Sequence, residues 1–181
     1  MKARGELTVW IANKISDEWK KRGYDVLYDH GSKHDNGNVG KIVSWFGEKY
    51  NREAELSQLD IAIVKKNSND VFALIEIEES TDRPKTLLGD IFGMLMGEHV
   101  MFGGKRELTL DKNAVLVILG YSKVRHDERN RYIQDKAMKV KSDLHTANAN
   151  VKKIIVDTFA DEEELSAVMA SVLDRAFKGE M

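Results

Sequence analysis

The sequence predicts a single α/β domain in which helices flank a central mixed β-sheet. Three observations point there. Short β-branched runs (DIAIV at 60–64, FALIEIE at 72–78, AVLVIL at 114–119, VKKIIVDTF at 151–159) alternate with longer segments of helical period. The chain has 181 residues, enough for one well-buried core and short for two. No internal repeat, low-complexity tract or linker divides it, so residues 1–181 read as one domain.

The elements follow in order. Residues 7–22 read as a helix, because Leu7, Trp10, Ile11, Ile15 and Trp19 share one face, and Gly23 is placed to stop it. Residues 24–29 (YDVLYD) make a short strand, and the Gly-, Asn- and Asp-rich 30–40 a loop. Residues 41–55 suit a strand or a short helix equally. Residues 60–64 and 72–78 are two apolar strands joined by the polar turn KKNSND, a hairpin with a loop longer than the tight two-residue type. Pro84, the only proline, belongs to a loop or a first helical turn. Residues 86–102 read as one buried helix, with Gly89, Gly93 and Gly97 on one side permitting close approach of another backbone. Residues 103–111 read as loop and 114–119 as a buried strand. Residues 121–143 are basic and mostly helical, 151–159 a strand, and 161–177 a helix whose acidic first turn suits the helix dipole.

Composition narrows the class. With 42% hydrophobic and 32% charged residues, the chain is that of an ordinary globular domain. No apolar run approaches spanning length and the N-terminus lacks a secretory pattern, so the expected location is the cytoplasm, with no membrane partner. Absence of cysteine excludes disulfides and thiolate metal sites. No Walker loop, dinucleotide fingerprint or G-x-S-x-G elbow occurs, and the histidines lack zinc-ligand spacing.

The chemistry concentrates in the hairpin. Asp60 opens its first strand, and Glu76 and Glu78 interrupt its second. Side chains alternate along a strand, so Glu76 and Glu78 emerge on one face, and strand pairing can bring Asp60 near them. Acids on a strand are often the solvated face of an antiparallel sheet. That explanation suits Glu79 but fits Glu76 poorly, because four apolar residues precede it. Clustered carboxylates that lose hydration call for a cation or a shifted pKa. Oxygen donors alone favour Mg²⁺ or Mn²⁺ over zinc.

Asp60, fifteen intervening residues and then Glu76-Ile77-Glu78 resemble the signature of the PD-(D/E)xK nuclease superfamily. The order of elements agrees with that family's restriction-endonuclease-like fold. Leu59 stands where the family has proline, and Glu78 where it has lysine. The resemblance implies a divalent-metal-dependent nuclease. Asp60, Glu76 and the main-chain carbonyl of Ile77 would ligate Mg²⁺ or Mn²⁺, with Glu78 as general base or further ligand. Outside the motif, Lys85 or Arg83 in the following loop would supply the positive charge that Glu78 cannot. A further acid would come from the first helix, Glu6 or Glu18.

Residues 123–141 hold seven Lys or Arg against three acids, a net of +4. Lys123, Arg125, Arg129, Arg131, Lys136 and Lys139 are the candidates for phosphate contacts, with Arg125, Arg129 and Lys136 expected along one helical stripe. A solvated helix face explains the same charges equally well. The expected partner is nucleic acid, DNA before RNA, and a homodimer is compatible with the reading. The Glu in place of lysine keeps a second class open, a non-catalytic nucleic-acid- or protein-binding module on the nuclease fold.

Overall fold

The structure, a computed structural model, describes residues 5–29, 37–79 and 83–180. The expected loop at 30–40 and the approach to Pro84 lie partly outside them. Helix α1 (Glu6–Lys21) leads into β1 (Tyr24–Tyr28), then β2 (Ile42–Trp45), β3 (Glu55–Leu59), β4 (Ile61–Lys65) and β5 (Asp70–Glu78). Helix α2 (Pro84–Leu95) is followed by β6 (His99–Phe102), β7 (Arg106–Tyr121), α3 (Asp127–Lys141), β8 (Lys153–Phe159) and α4 (Glu162–Lys178).

One mixed sheet organises these elements. Its strands run β1-β4-β5-β7, with β1/β4 and β4/β5 antiparallel and β5/β7 parallel. Strand β7 is 16 residues long and serves two neighbours on its far side. Its first half pairs antiparallel with β6, which leads on to β2 and β3, and its second half pairs parallel with β8. Alternation sends Ile61, Ile63, Ala73, Ile75, Val117 and Ile155 to the face covered by α1 and α4. Ala62, Leu74, Leu116, Ile118 and Ile154 go to the opposite face, under α2 and α3. A single domain of sheet and flanking helices is therefore what forms, and no described helix is long and apolar enough to cross a membrane.

Residues 41–55, open between strand and short helix, contain the strand β2 followed by a 3₁₀ turn at Arg52–Ala54. Two expectations are corrected. The expected single helix at 86–102 ends at Leu95, and 99–102 is strand β6. Residues 103–111, read as loop, are mostly the opening of β7, paired with β6 through Val100–Leu108, Met101–Glu107 and Phe102–Arg106. A turn with positive φ at both Gly103 and Gly104 joins the two strands, as a hairpin of matching twist requires.

The glycines of α2 and its exit answer to packing. A Cβ on Gly93 would lie 2.9 Å from the Leu56 carbonyl oxygen, so the helix rides directly on β3. A Cβ on Gly97 would lie 2.0 Å from Ser44 Oγ and 2.6 Å from Asn148 Nδ2. Those two side chains form a buried network: Ser44 Oγ donates to the Met94 carbonyl at 3.1 Å, and Asn148 Nδ2 donates to Ser44 Oγ at 3.1 Å. Gly97→Ala is expected to break it, because both partners are fully enclosed and neither can withdraw into water. Overpacking with loss of buried hydrogen bonds costs about 2–3 kcal/mol. The urea midpoint reads it, and an unchanged midpoint would show that the network gives way freely.

Candidate active site

The carboxyl ends of β5, β7 and β8, the start of β4 and the first turns of α1 and α2 meet at one end of the sheet. In open α/β sheets this end, outside the carboxyl termini of parallel strands, is where ligands bind. Asp60 stands at the junction. Its backbone N–H donates to the Ile75 carbonyl at 3.1 Å, which ties it to β5. Its Oδ2 accepts the Ile77 N–H at 2.8 Å, and its Oδ1 accepts the Thr8 hydroxyl of α1 at 3.1 Å. The N–H and C=O of one strand residue point to the same side. The Ile77 carbonyl therefore faces Asp60, as the resemblance expects of a ligand.

Glu76 and Glu78 project toward the α2/α3 face, on the same side as Leu74. Oε2 of Glu76 is buried with no hydrogen-bond partner. Oδ2 of Asp90, on α2, is in the same condition. Buried polar atoms are almost always paired, so two orphaned carboxylate oxygens at one end of a sheet require a cause. The charges explain how they are held. Burial pushes Glu76 well above the ordinary carboxylate range, and the charges of Asp60, Asp90 and Glu78 add to that push; only the Asp60 backbone N–H pulls back. Burial raises Asp60 to about 7, against the pull of the Ile77 N–H and the Thr8 hydroxyl and with the help of Glu79 and Asp29. Asp90 rises to about 6, first by burial and then by the charge of Glu78.

Asp90 is the residue that sequence reasoning missed. It is the only charged residue between Thr86 and Gly97, inside an otherwise apolar helix. An acid in that context carries the same signal as Glu76 in its strand.

The first-helix acids separate. Glu18 pairs with Arg22, which also reaches Asp174 at 3.1 Å. It lies ten residues, ~15 Å along the helix, beyond the Thr8 that touches Asp60. Glu18 is thus removed from the site, a correction to the expectation. Glu6 sits exposed in the correct turn of α1. Glu79, read as a solvated strand end, instead anchors α1, since both its oxygens accept the Gly5 N–H at 3.2 Å. Gly5 caps α1 in a left-handed conformation and has no side chain to offer, so Glu79 supplies the N-terminal anion. Lys85 is exposed in the first turn of α2, and no contact joins it to these acids.

Among the described residues, no group of three or more His, Asp or Glu side chains forms a ready metal cage. The donor chemistry nonetheless fits a hard divalent ion. All donors are oxygens, and two of them, Glu76 Oε2 and Asp90 Oδ2, are buried without a hydrogen-bond partner.

The basic segment differs from the expected stripe. Helix α3 begins at Asp127, so Arg125 precedes it, drawn to Asp127 at 3.2 Å and to Asp157 and Glu164 at 3.9 Å. Arg129 is half-buried and donates to Asn130 Oδ1. Lys136 is exposed and lies over the Tyr132 ring at 5.2 Å. Lys123 and Lys139 are exposed, and Arg131 projects from the other flank of the helix. The three residues thus do not form one stripe, because the helix starts two residues too late for Arg125. Compared with protein-family models, curated proteins and solved structures, the chain matches none.

Proposed function

We propose that this chain is a divalent-metal-dependent nuclease of restriction-endonuclease-like fold, hydrolysing phosphodiester bonds in nucleic acid, DNA before RNA. The observation that carries the reading is the orphaned, buried Oε2 of Glu76 beside Asp60 and within the field of Glu78 and Asp90. An antiparallel trio β1-β4-β5 followed by parallel β7 supports the fold. Asp60, Glu76 and the Ile77 carbonyl would hold Mg²⁺ or Mn²⁺. When bound, such an ion supplies charge neutralisation on a phosphate and a water of lowered pKa.

The remaining work falls to the chain's own groups. Glu78 and Asp90 are the acids left to take a proton from water. A group near pH 6 is matched to that role at neutral pH, and Asp90 sits there. Thr8 and the Ile77 N–H fix the Asp60 carboxylate in place, so that it need not reorganise when the ion arrives. Lys85, exposed in the first turn of α2, is a cation that could stand in for the lysine that Glu78 replaces.

Incubation with supercoiled, linear and single-stranded DNA in Mg²⁺, Mn²⁺ or EDTA tests the activity. Cleavage is expected with either metal and none in EDTA. Thermal unfolding is the parallel measurement. An ion that binds only the native state at a hundred times its Kd adds about 2.7 kcal/mol, so the melting temperature is expected to rise in millimolar Mn²⁺. No cleavage and no rise would sink the metal site. DNA binding without either would leave the non-catalytic module as the function.

A further inference from the structure

We propose that the groove along the free edge of β8, between α3 and α4, is a second site, which holds backbone phosphates of a nucleic-acid strand outside the carboxylate cluster. Its source, a substrate strand, rests on the nuclease reading; its anion chemistry does not. The cavity measures about 360 Å³, within the range of ligand sites. Three cations from three different elements line it: Arg131 of α3, Lys153 of β8 and Arg175 of α4. No hydrogen bond or ion pair engages the side chain of any of the three among the described residues. Elsewhere the pairing is different: Arg22 holds Glu18 and Asp174, Lys178 holds Asp174, and Lys41 holds Glu55.

The acids of the lining do not neutralise them. Asp127 and Asp157 both lie within reach of the fourth cation, Arg125, at 3.2 and 3.9 Å. Four cations against two acids leave the groove positive, and the uncompensated part of that charge is the part that converges from three sides. Converging cations in a recess select a compact anion with several acceptor oxygens, and arginine's fork matches phosphate.

The edge itself excludes the other common occupant, an added β-strand. In the parallel pairing with β7, the outward N–H groups of β8 belong to Ile154, Val156 and Thr158. Met138 Sδ takes the first at 3.3 Å, Gln134 Oε1 the second at 3.3 Å and Asp157 Oδ1 the third at 2.8 Å. An edge whose donors are already taken by side chains is closed to pairing. Gln134, with its carbonyl oxygen so fixed, keeps its amide donors for the groove.

Sheet register relates the groove to the carboxylates. Glu76 pairs with Ile118, and Ile118 with Val156, which lines the groove. Two inter-strand spacings, ~10 Å, separate Glu76 from Val156 at one level of the sheet. A nucleic-acid strand crossing the carboxyl ends of β7 and β8 would reach both sites within a few nucleotides.

Fluorescence anisotropy of labelled DNA in EDTA tests the site with no cleavage needed. The triple variant Arg131→Ala/Lys153→Ala/Arg175→Ala is expected to bind about 10-fold or more weakly at low salt, and the slope of log K against log salt is expected to shrink by about two to three. Lys49→Ala/Lys65→Ala, two exposed lysines that do not line the groove, is expected to change affinity by less than about twofold. Equal affinity and slope in the triple variant and wild type would overturn the site, as would an equal loss in the Lys49/Lys65 variant. Inorganic phosphate binding as tightly as DNA would overturn the strand and leave a site for a free anion. Loss of DNA affinity in the triple variant, in a protein that fails to cleave, would uphold the groove and sink the nuclease.

Discussion

Glu76→Gln is expected to abolish cleavage and, in the same protein without metal, to raise stability. The two effects share one cause. In the native state the Glu76 carboxyl is out of water, lacks a partner for Oε2 and sits in the field of Asp60, Asp90 and Glu78. Above neutral pH the protein must either hold a proton there or bear a buried charge, and the amide removes that choice at almost constant volume. The amide is expected to raise the urea midpoint in EDTA, since burial and the neighbouring carboxylates both disfavour the charged carboxyl. The same charge is what a divalent ion needs. Losing several kcal/mol of metal-borne stabilisation corresponds to about a thousandfold in rate. Asp60→Ala makes the contrast. Its oxygens accept the Ile77 N–H and the Thr8 hydroxyl, so the truncation orphans a buried donor, which costs about 1–3 kcal/mol and cancels the electrostatic relief. Cleavage should vanish in both variants, with stability rising only in Glu76→Gln. A Glu76→Gln protein that cleaves at the wild-type rate would remove Glu76 from the site. One that loses stability would show that the carboxylate already has a counter-charge.

Much of the site was legible in the sequence because strand alternation is short-range. Asp60, Glu76 and Glu78 stand where apolar residues should, and period two alone places the latter pair on one face. Asp90 went unread although it breaks an apolar helix in the same way, since its neighbourhood to Glu76 depends on how α2 crosses the sheet. Glu18 shows the converse: its spacing to Ile15 and Trp19 is correct for the inner face, yet Arg22, which also holds Asp174, pairs with it three turns from Asp60. The end of α2 was hidden for a related reason. Met96 to Phe102 is largely apolar and fits either state, and only pairing with β2 and β7 makes 99–102 a strand. The opening of β7 looked like loop because Arg106–Asn113 is polar. It is held by β6 and by the Arg106 contacts to Ser68 and Asn69, long-range partners that periodicity cannot reveal.

Lowering the pH is expected to stabilise the metal-free protein between about pH 7 and pH 4, the reverse of ordinary acid destabilisation. The sign follows from the direction in which the carboxyls move. Asp60 moves from 3.8 to about 7 and Asp90 from 3.8 to about 6, and Glu76 is also raised. A carboxyl whose folded pKa is raised binds its proton more tightly in the folded state. Its contribution is fully present below the unfolded pKa and is lost as pH rises through the folded one. The window therefore runs from about pH 4 to pH 7, with no more than about 4 kcal/mol from Asp60 at ~1.4 kcal/mol per tenfold in proton affinity. Glu55, held low by Lys41 and Tyr50 against its burial, works the other way, but only as pH falls into the ordinary carboxylate range. Saturating Mn²⁺ should flatten or invert the slope above pH 6, since the ion binds only the deprotonated ligands and its binding releases their protons. Urea unfolding at stepped pH, in EDTA and in Mn²⁺, reads both slopes. In Glu76→Gln/Asp90→Asn the EDTA slope should shrink, leaving the part due to Asp60. A wild-type midpoint that is flat or climbs from about pH 4 to pH 7 in EDTA would mean that these carboxylates are solvated, and the case for a metal-hungry site would fall with it.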